Sequence, residues 1–307
     1  MSAINSSVGI DGGHILESIK EMPEDYRRAL VDTMMIAAQL ELSVLPWCYE
    51  VFPTCPDIGA KIAVAAAIQD ELGHAHQMFM MLEDFDQSPE DLIFRTSPNK
   101  FKVFYMLQIR LRNYIEFVVA QALLDRSGRV TTLDLEEHCS YAPYRRALRK
   151  VNFEEKFHIS HGEHWTEYYW NLSAETRAKV QEYVDWLFPH GLSWFGVTDA
   201  RKTRTAQLKY RIRGLSNDAM RQEWLKSVLQ WTTPLGIVVP AHWDDEKNEI
   251  VLDLPFPMLC DPTARRWSGT LATWEDTVDQ WKSGVPSYSE VIGRLQREEW
   301  GEDLWTT

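Results

Sequence analysis

Two short motifs in this 307-residue chain set a carboxylate and an imidazole three residues apart: Glu71-Leu72-Gly73-His74 and Glu155-Lys156-Phe157-His158. Positions three apart share a face of an α-helix, so each Glu and its His can reach one point in space. Two such pairs facing each other, with one more Glu from each of two other helices, make the cage for two iron or manganese ions in ferritin-like bundles. Carboxylate oxygens suit such ions, imidazoles leave exchange positions for O2, and four carboxylates nearly neutralise two divalent cations. The chemistry expected of this set is oxygen activation at a di-metal centre.

The context of the motifs matters more than the motifs. Both lie in long stretches free of turn residues, and each follows a predicted helix with a Glu among apolar residues. Glu41 precedes Glu71 by 30 residues and Glu116 precedes Glu155 by 39, each room for one helix and a turn. Glu41 falls on the apolar face of YRRALVDTMMIAAQLELSVL, where a bare buried carboxylate costs several kcal/mol. Glu116 is the sole Glu of a third helix expected over about Phe101–Asp125, and its flanks are mixed. Glu41, Glu71 and His74 are expected on one metal, Glu116, Glu155 and His158 on the other, with Glu71 and Glu155 bridging. Asp70 and Glu154 can take the second ring nitrogen of a ligand His. His161 and His164 continue the series after His158, so a third His ligand is conceivable, as in some di-iron N-oxygenases. Against all of this stands the plainer alternative of surface salt-bridge residues on amphipathic helices.

The elements that must position these groups are helices. The second opens at Pro56-Asp57 and runs through AKIAVAAAIQDELGHAHQMFMMLEDF, where the interior Gly73 costs roughly 1 kcal/mol relative to Ala and calls for a packing reason. Pro46 and Pro53 are expected to bend or end the first helix, and RSGRVTTLDLEEHC reads as a connecting excursion. A fourth helix covers about Pro143–Trp170, and a fifth follows Ser173, closed by Phe188-Pro189-His190-Gly191. Further helices are expected over 200–230, and GIVVPAHWDDEKNEIVLDL reads as a β-hairpin turning at Asp244–Asn248. The fold class is all-α: a ferritin-like four-helix bundle with C-terminal helices and a short hairpin. Its parts are an arm (1–22), the bundle (23–190) and a C-terminal extension (191–307) packed on it as one domain.

Composition narrows the partners. The chain is 45% hydrophobic with 13 Trp, and its formal net charge of −13 argues against nucleic acid or an anionic membrane surface. Without a basic leader, an apolar leader core or a run of 18 apolar residues, a cytoplasmic protein with no membrane span is expected. Cys48, Cys55, Cys139 and Cys260 form no CxxC pair and read as reduced thiols. Six basic residues, Arg201, Lys202, Arg204, Lys209, Arg211 and Arg213, crowd one short segment of this acidic chain. They read either as a solvated helix face or as a phosphate-binding patch suited to a coenzyme A handle.

The runs MPEDYRRAL, QDELGHAHQ, APYRRALRKVNFEEKFH and SNDAMRQEW resemble the catalytic A subunits of the phenylacetyl-CoA 1,2-epoxidase family, and more distantly the benzoyl-CoA epoxidase oxygenases. The likeness spans about Met22 to Asp253. It implies a di-iron monooxygenase that inserts one oxygen of O2 into an aromatic ring carried as a CoA thioester. It also implies a homo-oligomer, a complex with a paralogous partner subunit, or both, and a flavin/iron–sulfur reductase as electron source. The metal ligands carry over onto Glu41, Glu71, His74, Glu155 and His158; at Glu116 the family can place Asp, so the carboxylate matches in type. Manganese, or a mixed manganese–iron pair, fits the same ligands. Two stretches depart from the family, the excursion Ser127–Cys139 and the bulky block Ser43–Val51, which puts the acyl group in question. The alternatives kept open are an oxidase, N-oxygenase or desaturase on a substrate without CoA, and a non-catalytic scaffold subunit.

Overall fold

The computed structural model describes residues 15–202, 206–285, 292, 293 and 296. Helix α1 (Glu24–Val51) carries Tyr26, Leu30, Met34, Ala38 and Leu45 into the interior at helical spacing. Pro46 does not end it: the helix absorbs the lost backbone bond and continues to Val51, where the 3-10 turn Phe52–Thr54 leads off. By length and composition Glu24–Thr54 is apolar enough to cross a membrane, but bundle helices pass the same test, and Tyr26 and Leu30 are fully enclosed by neighbours. Asp57 caps α2 (Ile58–Glu83) by accepting the Ala60 amide, and α1 and α2 form the most extensive helix–helix contact.

The third helix differs from expectation. Residues 101–113 are irregular apart from the 3-10 turn Tyr105–Gln108, and α3 spans only Tyr114–Ala120. Asn113 starts it by accepting the Glu116 amide. A π-turn, Gln121–Asp125, then joins α3 to α4 (Arg126–His138). The stretch read as an excursion is thus helical: packing against α5 outweighs the weak propensities of its Gly, Thr and Asp residues. The close approach of α5 (Ala142–Leu172) to the π-turn depends on Gly162, where a Cβ would lie 2.6 Å from the Ala122 amide nitrogen and 2.7 Å from the Val118 carbonyl oxygen. α1, α2, the α3–α4 rod and α5 are the four rods of the bundle.

Ser173 caps α6 (Ala174–Ser193) with a capping box, and Pro189-His190-Gly191 lies inside this helix instead of closing it. α7 is one turn (Ala206–Lys209), and Ser216 caps α8 (Asn217–Leu235). Strands β1 (Ala241–Asp244) and β2 (Glu249–Leu252) pair antiparallel as the expected hairpin. A second small hairpin follows, β3 (Cys260–Asp261) with β4 (Arg266–Trp267), and then α9 (Trp274–Ser283). Met220, Trp224, Ile237, Ile250 and Cys260 belong to the same apolar cluster as Phe117 and Val118 of α3. The four cysteines are buried free thiols. Of the expected arm, residues 1–14 lie outside the described residues, and Leu16 packs beside Tyr141.

Two apolar clusters fill the interior. On α2, Val64 and Ile68 join one while Ala75 and Met78 join the other, and on α5 Trp165 and Val151 divide in the same way. The belt between the clusters is where the polar side chains converge.

Candidate metal centre

Glu41, Glu71, His74 and Glu155 bring ligand atoms within 4.8 Å of one another, and Asp125, Glu155 and His158 do the same. The two groups share Glu155. His74 Nδ1 lies 3.7 Å from Glu41, 4.0 Å from Glu71 Oε2 and 3.5 Å from Glu155 Oε1. His158 Nδ1 lies 3.3 Å from Glu71 Oε1 and 3.5 Å from the same Glu155 oxygen. Glu71 therefore turns one oxygen toward each imidazole, and Glu155 Oε1 stands equally far from both.

The outer nitrogens are engaged across the helix pair. His74 Nε2 is 3.0 Å from Glu154 of α5, and His158 Nε2 is 3.3 Å from Asp70 of α2. Each carboxylate precedes the ligand Glu of the opposite motif, so one register between α2 and α5 sets both bonds. With Nε2 taken, Nδ1 of each ring points into the cluster. His74 Nδ1, His158 Nδ1 and Glu71 Oε2 are buried without a hydrogen-bond partner. Such groups are costly unless something else satisfies them, and oxygen-rich carboxylates with two imidazoles are the donor set for iron or manganese. The residues fit a pair of such ions.

The electrostatics follow from burial and crowding. Burial pushes the Glu71 carboxyl well above its usual range, and the neighbouring Glu41 charge adds to it. Asp125 is likewise pushed well up by burial, then by Glu155. Burial opposes charge on Glu41 too, but hydrogen bonds to Glu71 and His74 outweigh it and hold the carboxyl below the ordinary value. At His158 burial disfavours the cation, yet the Glu155 and Glu71 carboxylates prevail and raise the imidazole well above its usual value.

Glu116 is a correction: its side chain is not brought to the cluster. It accepts the Arg112 amide at 2.7 Å and pairs with Arg265 of the second hairpin, wholly buried. Asp125, at the end of the π-turn, comes to the cluster instead. Nine residues separate the two carboxylates, so on a straight helix at about 100° per residue they would face opposite ways. A helix that starts at Asn113 makes Glu116 its third residue, suited to reaching back over the helix start. His161 is not free to ligate, because Nδ1 bonds Gln121 Oε1 at 2.7 Å and Nε2 bonds Tyr114 Oη at 3.0 Å. Burial, then His158, holds it neutral with a pKa lowered to about 4. His164 is exposed on the outer side of α5.

A cavity of about 530 Å³ opens from the cluster. Glu41, Glu71, Asp125 and Glu155 line one part, with Leu40, Val44, Trp47, Phe104, Leu107 and Leu124 as apolar walls. Lys102, Lys202, Gln207, Arg213 and Asn217 line another part. The basic segment is therefore not one patch. Lys202 and Arg213 converge on Asn217 Oδ1, at 3.2 and 2.8 Å. Arg201 is paired with Glu275 and Lys209 with Asp25, because their turn ends after four helical residues and sends alternate side chains outward. Arg211 occupies a left-handed backbone position (φ 50°), and Arg204 lies outside the described residues. Sequence reasoning misses Lys102 at this wall; its place in an irregular segment leaves no periodic signal.

Comparison with known proteins agrees with this geometry. The chain is 25% identical over 235 residues, 74% of its own length and 74% of the relative's, to the A subunit of 1,2-phenylacetyl-CoA epoxidase from Escherichia coli (strain K12). Residues 1–251 match the model of the family described as Phenylacetic acid catabolic protein, so this chain, with its carboxylate–histidine cluster inside a helical bundle, belongs to that family.

Proposed function

We propose that this chain is the oxygen-activating subunit of a monooxygenase that epoxidises or hydroxylates an aromatic or acyl substrate carried as a CoA thioester. The observation that carries the reading is the pair of buried, unpartnered Nδ1 atoms of His74 and His158 facing shared carboxylates at one wall of an apolar cavity. Glu41, Glu71, His74, Glu155, Asp125 and His158 would hold two iron ions, or manganese in one or both places. When bound, such a pair supplies the electrons and coordination sites that O2 activation needs. Four carboxylates balance two divalent charges, so the loaded site stays near neutral in a buried setting.

The other residues bind and exclude. Trp47, Phe104, Leu107 and Leu124 keep water from the reacting end and present an apolar wall to a ring. A cavity of about 530 Å³ suits an aryl-acyl group and is too small for a whole acyl-CoA, so the nucleotide stays outside. Lys102, Lys202 and Arg213 supply positive charge for its phosphates. The relative's name, which makes it one of several subunits of an epoxidase, supports both the substrate class and the presence of other chains, among them an electron donor.

The test is metal analysis of protein loaded anaerobically with Fe(II), followed by turnover with reductase and an aryl-acyl-CoA. About two irons per chain and oxygenated product are expected. A chain that holds less than one iron, or that oxidises the free acid as readily as the thioester, defeats the reading.

A further inference from the structure

We propose that the outer face of α2 pairs with α2 of a second copy of this chain, antiparallel about a twofold axis through Gln69. The inference rests on the fold and not on the metal reading. Ile58, Ile62, Ala65, Ala66, Gln69, Leu72, His76 and Met80 are all exposed. At about 100° per residue they fall, with Gly73, inside a stripe roughly 120° wide along the whole helix. A stripe of that width is what a helix turns toward a partner, yet within the chain nothing covers this one among the described residues. No Asp, Glu, Lys or Arg lies in it from Ile58 to Met80.

Gly73 adds a second observation. A glycine inside a helix is unfavourable unless something passes close by, and a Cβ built at Gly73 meets nothing within 4 Å in the chain. The packing reason must come from outside.

The choice of a second copy follows from the register. Pairing residues whose numbers are symmetric about 69 sets Ile58 against Met80, Ile62 against His76, Ala65 against Gly73 and Ala66 against Leu72. Large meets large at the ends, small meets small near the crossing, and two Gln side chains meet at the axis. Such self-complementarity is what an isologous twofold interface requires.

The area is sufficient as well. Exposure is 74% at Ile58, 63% at Ile62, 42% at Leu72 and 44% at Met80, with Phe153 at 58% and Phe157 at 54% on the neighbouring α5. At about 150–200 Å² per large side chain these six present roughly 600 Å², and the rest of the stripe brings the face near the roughly 800 Å² per partner of a standard interface. The charge excess of the chain does not oppose the pairing here, because Lys61, Lys150 and Lys156 offset Asp70 and Glu154 around the face. A partner on it would also cover Asp70 and Glu154, whose side chains are 21% and 20% exposed where they hold the two imidazoles.

Sedimentation equilibrium of the full chain, metal-free and Fe(II)-loaded, tests this. Twice the 35.7 kDa chain mass is expected in both states. Leu72→Glu and Ala65→Glu, at exposed positions that leave the helix content by circular dichroism unchanged, should give monomers. Gly73→Ala should weaken the dimer at least ~10-fold, because the added methyl meets only the second copy. Gln69→Cys should be joined to its own mate by a short bismaleimide in high yield, while Lys20→Cys should not. A monomeric wild type, a dimer indifferent to Leu72→Glu, or no link at position 69 overturns the proposal, as does capture of a different protein on this face in place of the second copy. Iron content measured in parallel separates this outcome from failure of the metal reading, since a monomeric variant that still binds iron leaves that reading intact.

Discussion

His74 on α2 and Glu154 on α5 are joined by a 3.0 Å hydrogen bond, and the carboxylate that makes it neighbours the ligand Glu155. The same bond recurs in mirror order between His158 and Asp70 at 3.3 Å. Each imidazole is thus aimed by the helix that carries the other motif, so the α2–α5 packing and the site geometry are one constraint.

Removing an aiming carboxylate should loosen the ring without removing a ligand. Glu154→Gln and Asp70→Asn are expected to weaken iron binding by about 10–100-fold, read by competition with a chromophoric chelator. Thermal stability of the metal-free protein should change little, since both side chains are partly exposed. Unchanged affinity in both variants would contradict the aiming role.

Asp125 and Glu116 should part cleanly in the same assay. Asp125→Asn is expected to lose one iron per chain with the fold retained. Glu116→Gln should keep its iron yet destabilise the chain by about 3–5 kcal/mol, as when a buried ion pair loses one partner, here leaving Arg265 without its carboxylate. The measurements are metal content and urea unfolding; iron lost from Glu116→Gln and kept by Asp125→Asn would reverse the assignment.

Metal binding should release protons. Glu71 and Asp125 sit well above the usual carboxylate range because of burial, and His158 is raised by its carboxylate neighbours. Ligands bind as carboxylate and neutral imidazole, so affinity must fall as pH falls. Calorimetry at pH 7 in buffers of different ionisation enthalpy should find at least about one proton released per iron pair. A titration that takes up protons would contradict it.

His190 should set part of the acid lability. It is buried between Trp186 and Trp267, with ring centroids 4.6 and 4.5 Å away, and burial lowers its pKa to about 3. The unfolded chain takes its proton near pH 6.5, so stability is full above that value and is lost as pH falls toward 3. At pH 5 the loss amounts to about 2 kcal/mol. His190→Phe should flatten this part of the pH–stability curve, as measured by urea midpoints from pH 7 to 5.

The phosphate wall predicts a split in kinetic constants. Lys202→Ala and Lys102→Ala should raise KM for a CoA thioester about 10-fold, leave kcat within about twofold, and reduce the sensitivity of KM to salt. Turnover of a substrate without CoA should not respond. A fall in kcat with constant KM would argue against this role.

Helical periodicity alone determines much of this protein. Burying the apolar side of α1 carries Glu41 inward, and the three-residue spacing in α2 and α5 puts Glu71 with His74 and Glu155 with His158 on one face each. Asp70 and Glu154 follow because they stand one residue before a ligand. The start of the third helix is also written in the chain: Asn113 followed at three residues by Glu116, before Phe117-Val118-Val119, is a capping pattern. Starting the helix at Phe101 instead makes Glu116 look like an interior carboxylate. The fourth carboxylate cannot be found from the chain alone. The π-turn Gln121–Asp125 shifts the helical phase by an amount no local pattern records, and Arg265, which claims Glu116, comes from 149 residues further on. Only the tertiary structure decides between Asp125 and Glu116, because the choice depends on where one rod packs against another and on which distant cation reaches the buried acid first. The same holds for the cavity wall, where Lys102, Lys202 and Arg213 meet from segments that share no period.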